Sequence, residues 1–404
     1  MDLTAAYGTV NHQRLLQKVY HLTNDLQLTR FIQTMLENRR YFVELDGEKS
    51  RWRKQKNGLP QGGVLAPTLY NIYTADIPTT EGTQNFIYAD DLCITAQANS
   101  FEEVEKYLTK GLRELSRYYE ENQLKANPTK TQISVFHLRN KDAKRHLKVE
   151  WNGTDLQHSD YPIYLGVKLD RSLTYKEHII KTRHKVEARN SIISKLSTTK
   201  YGADPKTIRA AALALCFSTA EYACPVWERS VHTKKLDTTL NTTCRKITGC
   251  LRPTNIKDLY TMSGINQPEE RRKYISSTER KKQQSDKKHM LYGQKPPNKR
   301  LKSRNSFLDS TSPNQLHPNP PAISGCELAW PEWVCLNRLR SGVGRCKLNM
   351  AKWGYSEQHD IQCECGEVQS MNHVLVCGET CTTEDLWEVN ERALAKVQRW
   401  TGRL

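Results

Sequence analysis

Residues 86 to 95 read Phe-Ile-Tyr-Ala-Asp-Asp-Leu-Cys-Ile-Thr, two apolar, β-prone runs that meet at the adjacent carboxylates Asp90 and Asp91. Apolar flanks predict two buried strands joined by a tight turn, and acids at its tip need a cation or solvent to offset their desolvation. Hairpins carry metal ligands in this way, although an Asp-Asp turn alone reads equally as an ordinary polar turn. A second ligand set lies at residues 363 to 377, where Cys363, Cys365, His373 and Cys377 form Cys-x-Cys-x7-His-x3-Cys. Three soft thiolates and an imidazole make a tetrahedral zinc set. Gly366 relieves the turn after the second cysteine, and His373 and Cys377, four residues apart, share one face of a helix. The gap between the first two cysteines is tighter than the usual two residues, so ordinary reduced thiols remain the competing reading, with Cys381 a substitute ligand.

Positioning these groups takes a scaffold of alternating helices and strands. The spacing predicts helices at 12 to 22 and 28 to 37, a hairpin of 41 to 45 with 50 to 55 around Asp46-Gly47, and a helix over 64 to 75. Apolar positions at helical spacing cover 101 to 122, and strands follow near 131 to 136 and 161 to 169. Beyond 175 the pattern turns helical, over 176 to 197, 205 to 222 and 232 to 250, with further helices near 327 to 340 and 384 to 400 on either side of the cysteine cluster.

Three segments occur in a telling order. The chain opens Met1-Asp2-Leu3-Thr4-Ala5-Ala6-Tyr7-Gly8, residues 58 to 62 read Gly-Leu-Pro-Gln-Gly, and Tyr88-Ala89-Asp90-Asp91 follows. This order resembles motifs A, B and C of a reverse transcriptase palm. Leu124 with the run from Asn127 to Phe136 is similar to motif D, and Tyr164-Leu165-Gly166 to the segment after it. The likeness is to non-LTR retrotransposons, especially the jockey-like elements of animals. It reaches into the thumb region through Glu221-Tyr222-Ala223-Cys224-Pro225-Val226-Trp227 and Ile247-Thr248-Gly249-Cys250-Leu251-Arg252-Pro253. It covers most of residues 1 to 260 and, more loosely, the C-terminal end, where the cysteine cluster resembles the family's Cys-Cys-His-Cys knuckle.

The resemblance implies an α+β fold: a palm of antiparallel sheet with helices, a helical thumb, and a small C-terminal helical region bearing a zinc knuckle. It implies an RNA-directed DNA polymerase that extends a primer 3′-hydroxyl on an RNA template with dNTPs. Two magnesium ions about 3.5 to 4 Å apart clamp the attacking and leaving oxygens in such chemistry, and hard ions prefer carboxylate oxygen. Asp2 and Asp90 would be the shared ligands, with Asp91 supporting. Tyr7 would lie under the nucleotide sugar and disfavour a 2′-hydroxyl. Gly58, Gly62 and Gly63 would let backbone approach nucleotide or template, beside the Gln61 amide and Tyr88. Lys130 would stabilise or protonate the leaving pyrophosphate, against the plain alternative of a solvated lysine. The family usually has Asp at the position of Gly8 and Ser at that of Gly63, and neither is a metal-binding carboxylate. In the family a strand and a long fingers region precede the first catalytic Asp, so the chain is expected to be an N-terminally truncated copy, inactive alone. Its alternative function is that of a catalytically silent remnant that only binds RNA or DNA.

Composition agrees with a polyanion partner. The 404 residues carry 61 Lys and Arg against 44 acids, a formal charge of +17, which attracts nucleic acid in a salt-sensitive way. Residues 271 to 304 concentrate the excess in Arg271, Arg272, Lys273, Arg280, Lys281, Lys282 and further cations, read as a phosphate-binding arm, a nuclear address or a solvated linker. The expected domains are therefore a palm at 1 to 172, a thumb at 173 to 268, a basic disordered linker at 269 to 325, and the knuckle region at 326 to 404. No apolar run approaches the roughly 18 residues a membrane helix needs, and the N-terminus lacks a secretory pattern, so an intracellular site, nucleus or cytoplasm, is expected. The 12 cysteines should then be thiols or ligands, with Cys93, Cys216, Cys224, Cys244 and Cys250 as small core side chains. The oligomeric state is not legible. No acid set for an RNase H, nor a histidine, carboxylate and lysine set for an endonuclease, is evident.

Overall fold

The computed structural model describes residues 1, 3–137, 142, 145–198, 202–294, 323–357 and 360–404, which include α-helices and short β-ladders in an α+β arrangement. The chain divides into two compact units, Met1–Leu173 and Thr174–Leu404. No helix among the described residues is long and apolar enough to cross a membrane.

In the first unit, Asn11 caps the helix His12–Thr23 by accepting from the Arg14 amide, and Asp25 caps Leu26–Leu36 by accepting from Leu28. Leu15, Val19, Ile32 and Leu36 on these helices join the core. The helix Ala66–Thr74 starts with Pro67 in its first turn and turns Ala66, Leu69, Tyr70 and Tyr73 inward at helical spacing. The 21-residue helix Phe101–Glu121, capped by Ser100, buries Leu112, Leu115, Tyr118 and Tyr119 against the same core. The Trp151 indole donates to Ser116 Oγ at 2.7 Å, which satisfies a buried N–H while the ring fills the core.

The ladders are shorter than the alternation predicts. Thr83–Tyr88 pairs with Asp91–Ala96 over six residues a side, whereas the remaining named ladders have two. Asp46 (φ 51°) and Gly47 (φ 84°) make the turn expected between residues 41 and 55, joining Glu44–Leu45 to Glu48–Lys49. The strand expected at 131 to 136 contracts to Gln132–Ile133, which pairs in parallel with Gln157–His158. That expected at 161 to 169 is itself a hairpin, Ile163–Tyr164 with Val167–Lys168, because Leu165 and Gly166 both take positive φ.

The second unit is helical. Lys176–Leu196, Pro205–Ala212, Thr233–Thr248 and Ile256–Ser263 share a core with Trp330–Ser341, Met371–Val376, Thr383–Glu388 and Glu391–Trp400. The thumb and the C-terminal region, expected as separate domains, therefore form one body. The helix expected over 205 to 222 passes through a π-turn at Leu213–Phe217, where Arg189 Nη1 donates to Leu215 O at 2.6 Å and satisfies a backbone acceptor there. The helix expected over 384 to 400 breaks at Val389 (φ 58°) and restarts under an Asn390 cap.

The start of the basic linker is also corrected. Pro268–Ser285 is a helix with a capping box between Gln267 and Glu270. Arg271, 7% exposed, forks onto Glu221 at 2.5 and 2.9 Å, and Arg272, 5% exposed, onto Asp237 at 2.5 and 3.0 Å. Composition read these arginines as solvated because their acids lie 50 and 35 residues earlier in the chain. Residues 295–322 of that linker lie outside the described residues.

Candidate active site and metal centre

Tyr88 and Asp91 face each other as the last pair of the longer hairpin, which leaves Ala89 and Asp90 as its two-residue connection. Ala89 holds a left-handed conformation (φ 52°), a cost that structures tolerate where a turn must aim side chains. Asp90, Asp91 and Tyr88 are exposed at this tip, while Leu92 is anchored in the core. Exposed, adjacent carboxylate oxygens are a donor set suited to a hard divalent cation such as magnesium. Asp2 lies outside the described residues. Of its neighbours, the Met1 ammonium donates to Leu92 O at 2.7 Å, and Leu3 bridges Ala126 in antiparallel fashion.

Tyr7 stacks on Tyr70 with ring centroids 4.5 Å apart and planes 12° from parallel. Burial raises the phenol pKa of both rings, and the Asp90 charge raises each further, so the pair lies within the electrostatic reach of the hairpin tip. Tyr70 is fully buried, and its hydroxyl has no hydrogen-bond partner among the described residues. Nothing in the sequence singled Tyr70 out beyond its place on the apolar face of its helix.

The glycine loop reaches this pair through backbone. Leu59 N donates to Tyr7 O at 2.8 Å, Gly58 N to Val10 O at 2.7 Å, and His12 Nε2 to Gly58 O at 2.8 Å. Gly58 (φ 89°) needs its missing side chain within the fold itself. A β-carbon there would lie 2.7 Å from Gly8 O, so the two glycine backbones pack on each other. Gln61 and Gly62 are exposed, and Gly63 is half-buried against Pro60.

Lys130 is exposed on a loop whose Asn127 side chain accepts from the Lys130 amide at 3.3 Å and from Thr129 Oγ1 at 2.8 Å. Lys130 and Asp91 line one cleft of about 660 Å³, together with Ile133, Leu147 and Tyr164. The Tyr164 hydroxyl donates to Phe86 O at 3.4 Å, which ties the Tyr-Leu-Gly turn to the hairpin.

In the second unit the four sequence-nominated ligands converge, with their donor atoms all within 4.8 Å of one another. Cys363 Sγ lies 3.8 Å from Cys377 Sγ, Cys377 Sγ 4.0 Å from Cys365 Sγ, and Cys365 Sγ 3.3 Å from His373 Nε2. A tetrahedral zinc with bonds of about 2.3 Å to sulfur sets sulfur–sulfur edges of about 3.8 Å, so the donor set fits the ion. Gly366 (φ 90°) turns the first two ligands, and His373 sits in the helix Met371–Val376 whose cap is Cys377. Burial raises the Cys363 thiol, but hydrogen bonds from the Cys365 amide, His373 and the other two thiols outweigh it and bring the pKa to about 6. Burial, then the neighbouring sulfurs, raise Cys377. Cys381 instead donates to Thr382 O at 3.7 Å. Sequence reasoning missed two cations on the last helix, Lys396 and Arg399. Lys396 Nζ donates to Val374 O at 3.1 Å and Cys377 O at 2.7 Å, and Arg399 Nη2 points at Cys377 Sγ from 3.6 Å.

The first unit thus carries a carboxylate-tipped hairpin, backed by helices and flanked by a tyrosine stack and a glycine loop. Residues 1–169 match the reverse transcriptase (RNA-dependent DNA polymerase) family. Over 198 residues the chain is 32% identical to the RNA-directed DNA polymerase from mobile element jockey of Drosophila funebris, covering 47% of this chain and 21% of that protein. The jockey polymerase of Drosophila melanogaster gives 32% over 187 residues (44% and 20%), and the probable RNA-directed DNA polymerase from transposon X-element of the same fly 26% over 260 residues (62% and 28%). Residues 1–169 are thus similar to the reverse transcriptases of jockey-like, non-LTR elements, and the chain spans 20% to 28% of the length of these relatives.

Proposed function

We propose that this chain contributes the catalytic palm of an RNA-directed DNA polymerase, which extends a primer 3′-hydroxyl along an RNA template with dNTPs. The observation that carries this reading is the exposed Asp90-Asp91 tip beside the Tyr7–Tyr70 stack, in the stretch that matches the reverse transcriptase family. Magnesium held by Asp90 and Asp91, with Asp2 by resemblance, would supply the charge that activates the hydroxyl oxygen and steadies the departing pyrophosphate. Tyr7 presents its ring to the sugar and disfavours a 2′-hydroxyl. Gln61 and the glycine loop contact the nucleotide, with Tyr88 beside them, and Lys130 neutralises the leaving group from the cleft it shares with Asp91. Cys363, Cys365, His373 and Cys377 hold a structural zinc. The partners are an RNA template and a DNA primer, met in the nucleus or cytoplasm.

A second reading, nucleic-acid binding without catalysis, draws on the charge. The chain carries +17 overall, and the helix Lys176–Leu196 exposes Lys176, Lys181, Lys185 and Lys195. Primer extension on poly(rA) with oligo(dT), dTTP and magnesium separates the two. Extension by the parent that disappears in Asp90→Asn, with template binding retained, supports the polymerase. Salt-sensitive binding with no extension supports the second reading.

A further inference from the structure

We propose that Lys396 and Arg399 are outer-sphere partners of the knuckle zinc: they balance its charge, set its affinity, and latch the C-terminal helix to it. The inference rests on the zinc reading above. Three thiolates and a neutral imidazole around a divalent zinc leave one negative charge in excess. Cys363 and Cys377 are buried, where an uncompensated charge is costly. The compensation comes from one helix, Glu391–Trp400.

Lys396 is only 3% exposed, an unusual place for an ammonium, and its contacts explain it. Its Nζ bonds the carbonyls of Val374 and Cys377, which follow His373 and close the ligand helix. Arg399, three residues on and so on the same helical face, donates from Nη1 to Cys377 O at 3.4 Å and from Nη2 to Cys377 Sγ at 3.6 Å. An N–H aimed at a ligating sulfur stabilises the thiolate without occupying a coordination position. Gly378 makes room for this, because the guanidinium lies where a β-carbon of residue 378 would be. The same helix is also held by the core: Val397 and Trp400 are buried there, and Val397 O accepts from Cys335 Sγ at 3.8 Å. One helix therefore joins the metal centre to the packed core.

The plainer alternative is that both cations merely cap helix-end carbonyls. It predicts loss of fold stability with no change at the metal, and this decides the test. The full chain and its Lys396→Met, Arg399→Gln and Arg399→Lys variants are loaded with cobalt for the thiolate-to-metal absorption, and zinc affinity is read by competition with a chromophoric chelator. The expected result is a 10- to 100-fold loss of affinity, on the order of other outer-sphere changes, in Arg399→Gln with a shifted absorption band. Arg399→Lys, which keeps the charge and loses the forked N–H, should fall between Arg399→Gln and the parent. Parent-like affinity and spectrum in the variants overturn the proposal, and if Arg399→Gln does not fold, the Arg399→Lys spectrum and affinity decide alone. A parent that takes up no metal overturns the zinc reading and this inference together, whereas a parent that binds zinc as tightly as its variants overturns only the inference.

Discussion

The rings of Tyr7 and Tyr70 stack 4.5 Å apart, joining the segment that opens the palm to the helix behind the glycine loop. Tyr7 is half-buried and Tyr70 wholly so, which makes Tyr70 the fixed member. The position of the Tyr7 ring is therefore set by a core side chain.

Two substitutions at Tyr70 should separate its ring from its hydroxyl. Tyr70→Ala removes the stack and leaves a cavity, and should cost about 3–5 kcal/mol in urea unfolding. Tyr70→Phe keeps the ring and deletes a buried hydroxyl that has no partner among the described residues, so its midpoint should equal or exceed that of the parent. A clear loss of stability in Tyr70→Phe would mean that the hydroxyl is bonded in solution.

Asp385 should titrate far below an ordinary aspartate. Its carboxylate accepts from Asn390 Nδ2 at 2.5 Å, from the Thr382 amide at 2.7 Å and from Thr382 Oγ1 at 2.8 Å. These bonds hold its pKa at about 2 against an unfolded value of about 3.9. Because the folded value is depressed, the stabilisation is complete above the unfolded pKa and is lost as pH falls through about 2. Carboxyl carbon NMR titration should place the midpoint there. Asn390→Ala removes the strongest of the three donors and should move the Asp385 midpoint upward, and an unmoved midpoint would mean that the two Thr382 bonds hold the carboxylate without it.

How much of this was legible in the sequence follows the range of the interactions. The turn at Asp90-Asp91, the helices expected at 12 to 22 and 101 to 122, and the clustering of Cys363, Cys365, His373 and Cys377 are local patterns, and each has its counterpart in the structure. Pairings across long stretches of chain were not legible. Arg271 and Arg272 looked solvated without Glu221 and Asp237, the backbone contact of Gly58 with Gly8 left no local signal, and Arg399 drew no notice without Cys377. The two thumb and tail regions also seemed separable, because no local pattern discloses that side chains of Trp330–Ser341 bond the last carbonyls of Thr233–Thr248.

The buried fork between Arg271 and Glu221 gives a test of that hidden pairing. Glu221→Ala leaves a 7%-exposed guanidinium without its carboxylate, and should cost about 3–5 kcal/mol. Glu269, whose 2.9 Å pair with Lys273 is largely exposed, is the control, and Glu269→Ala should cost no more than about 1 kcal/mol. Equal costs in chemical denaturation would remove the case for an ordered, buried start to the basic segment.

Gly249 tests most directly how the Thr233–Thr248 helix is joined to the Trp330–Ser341 helix. It ends the Thr233–Thr248 helix at φ 71°, and the side chain of Val334 occupies the space a β-carbon would take. Around it, Trp333 Nε1 donates to Ile247 O at 3.0 Å, Asn337 Nδ2 to Thr248 O at 3.1 Å and Arg338 Nε to Gly249 O at 3.2 Å, so three side chains satisfy helix-end carbonyls. Gly249→Ala should therefore incur backbone strain of about 1 kcal/mol and overpacking of about 1–3 kcal/mol. Gly342 has a similar φ of 63° but nothing within 4 Å of the missing β-carbon, so Gly342→Ala should show the strain alone. The difference between the two variants in thermal or urea unfolding measures the packing of one region on the other, and no difference would mean that Val334 yields freely and the joint is loose.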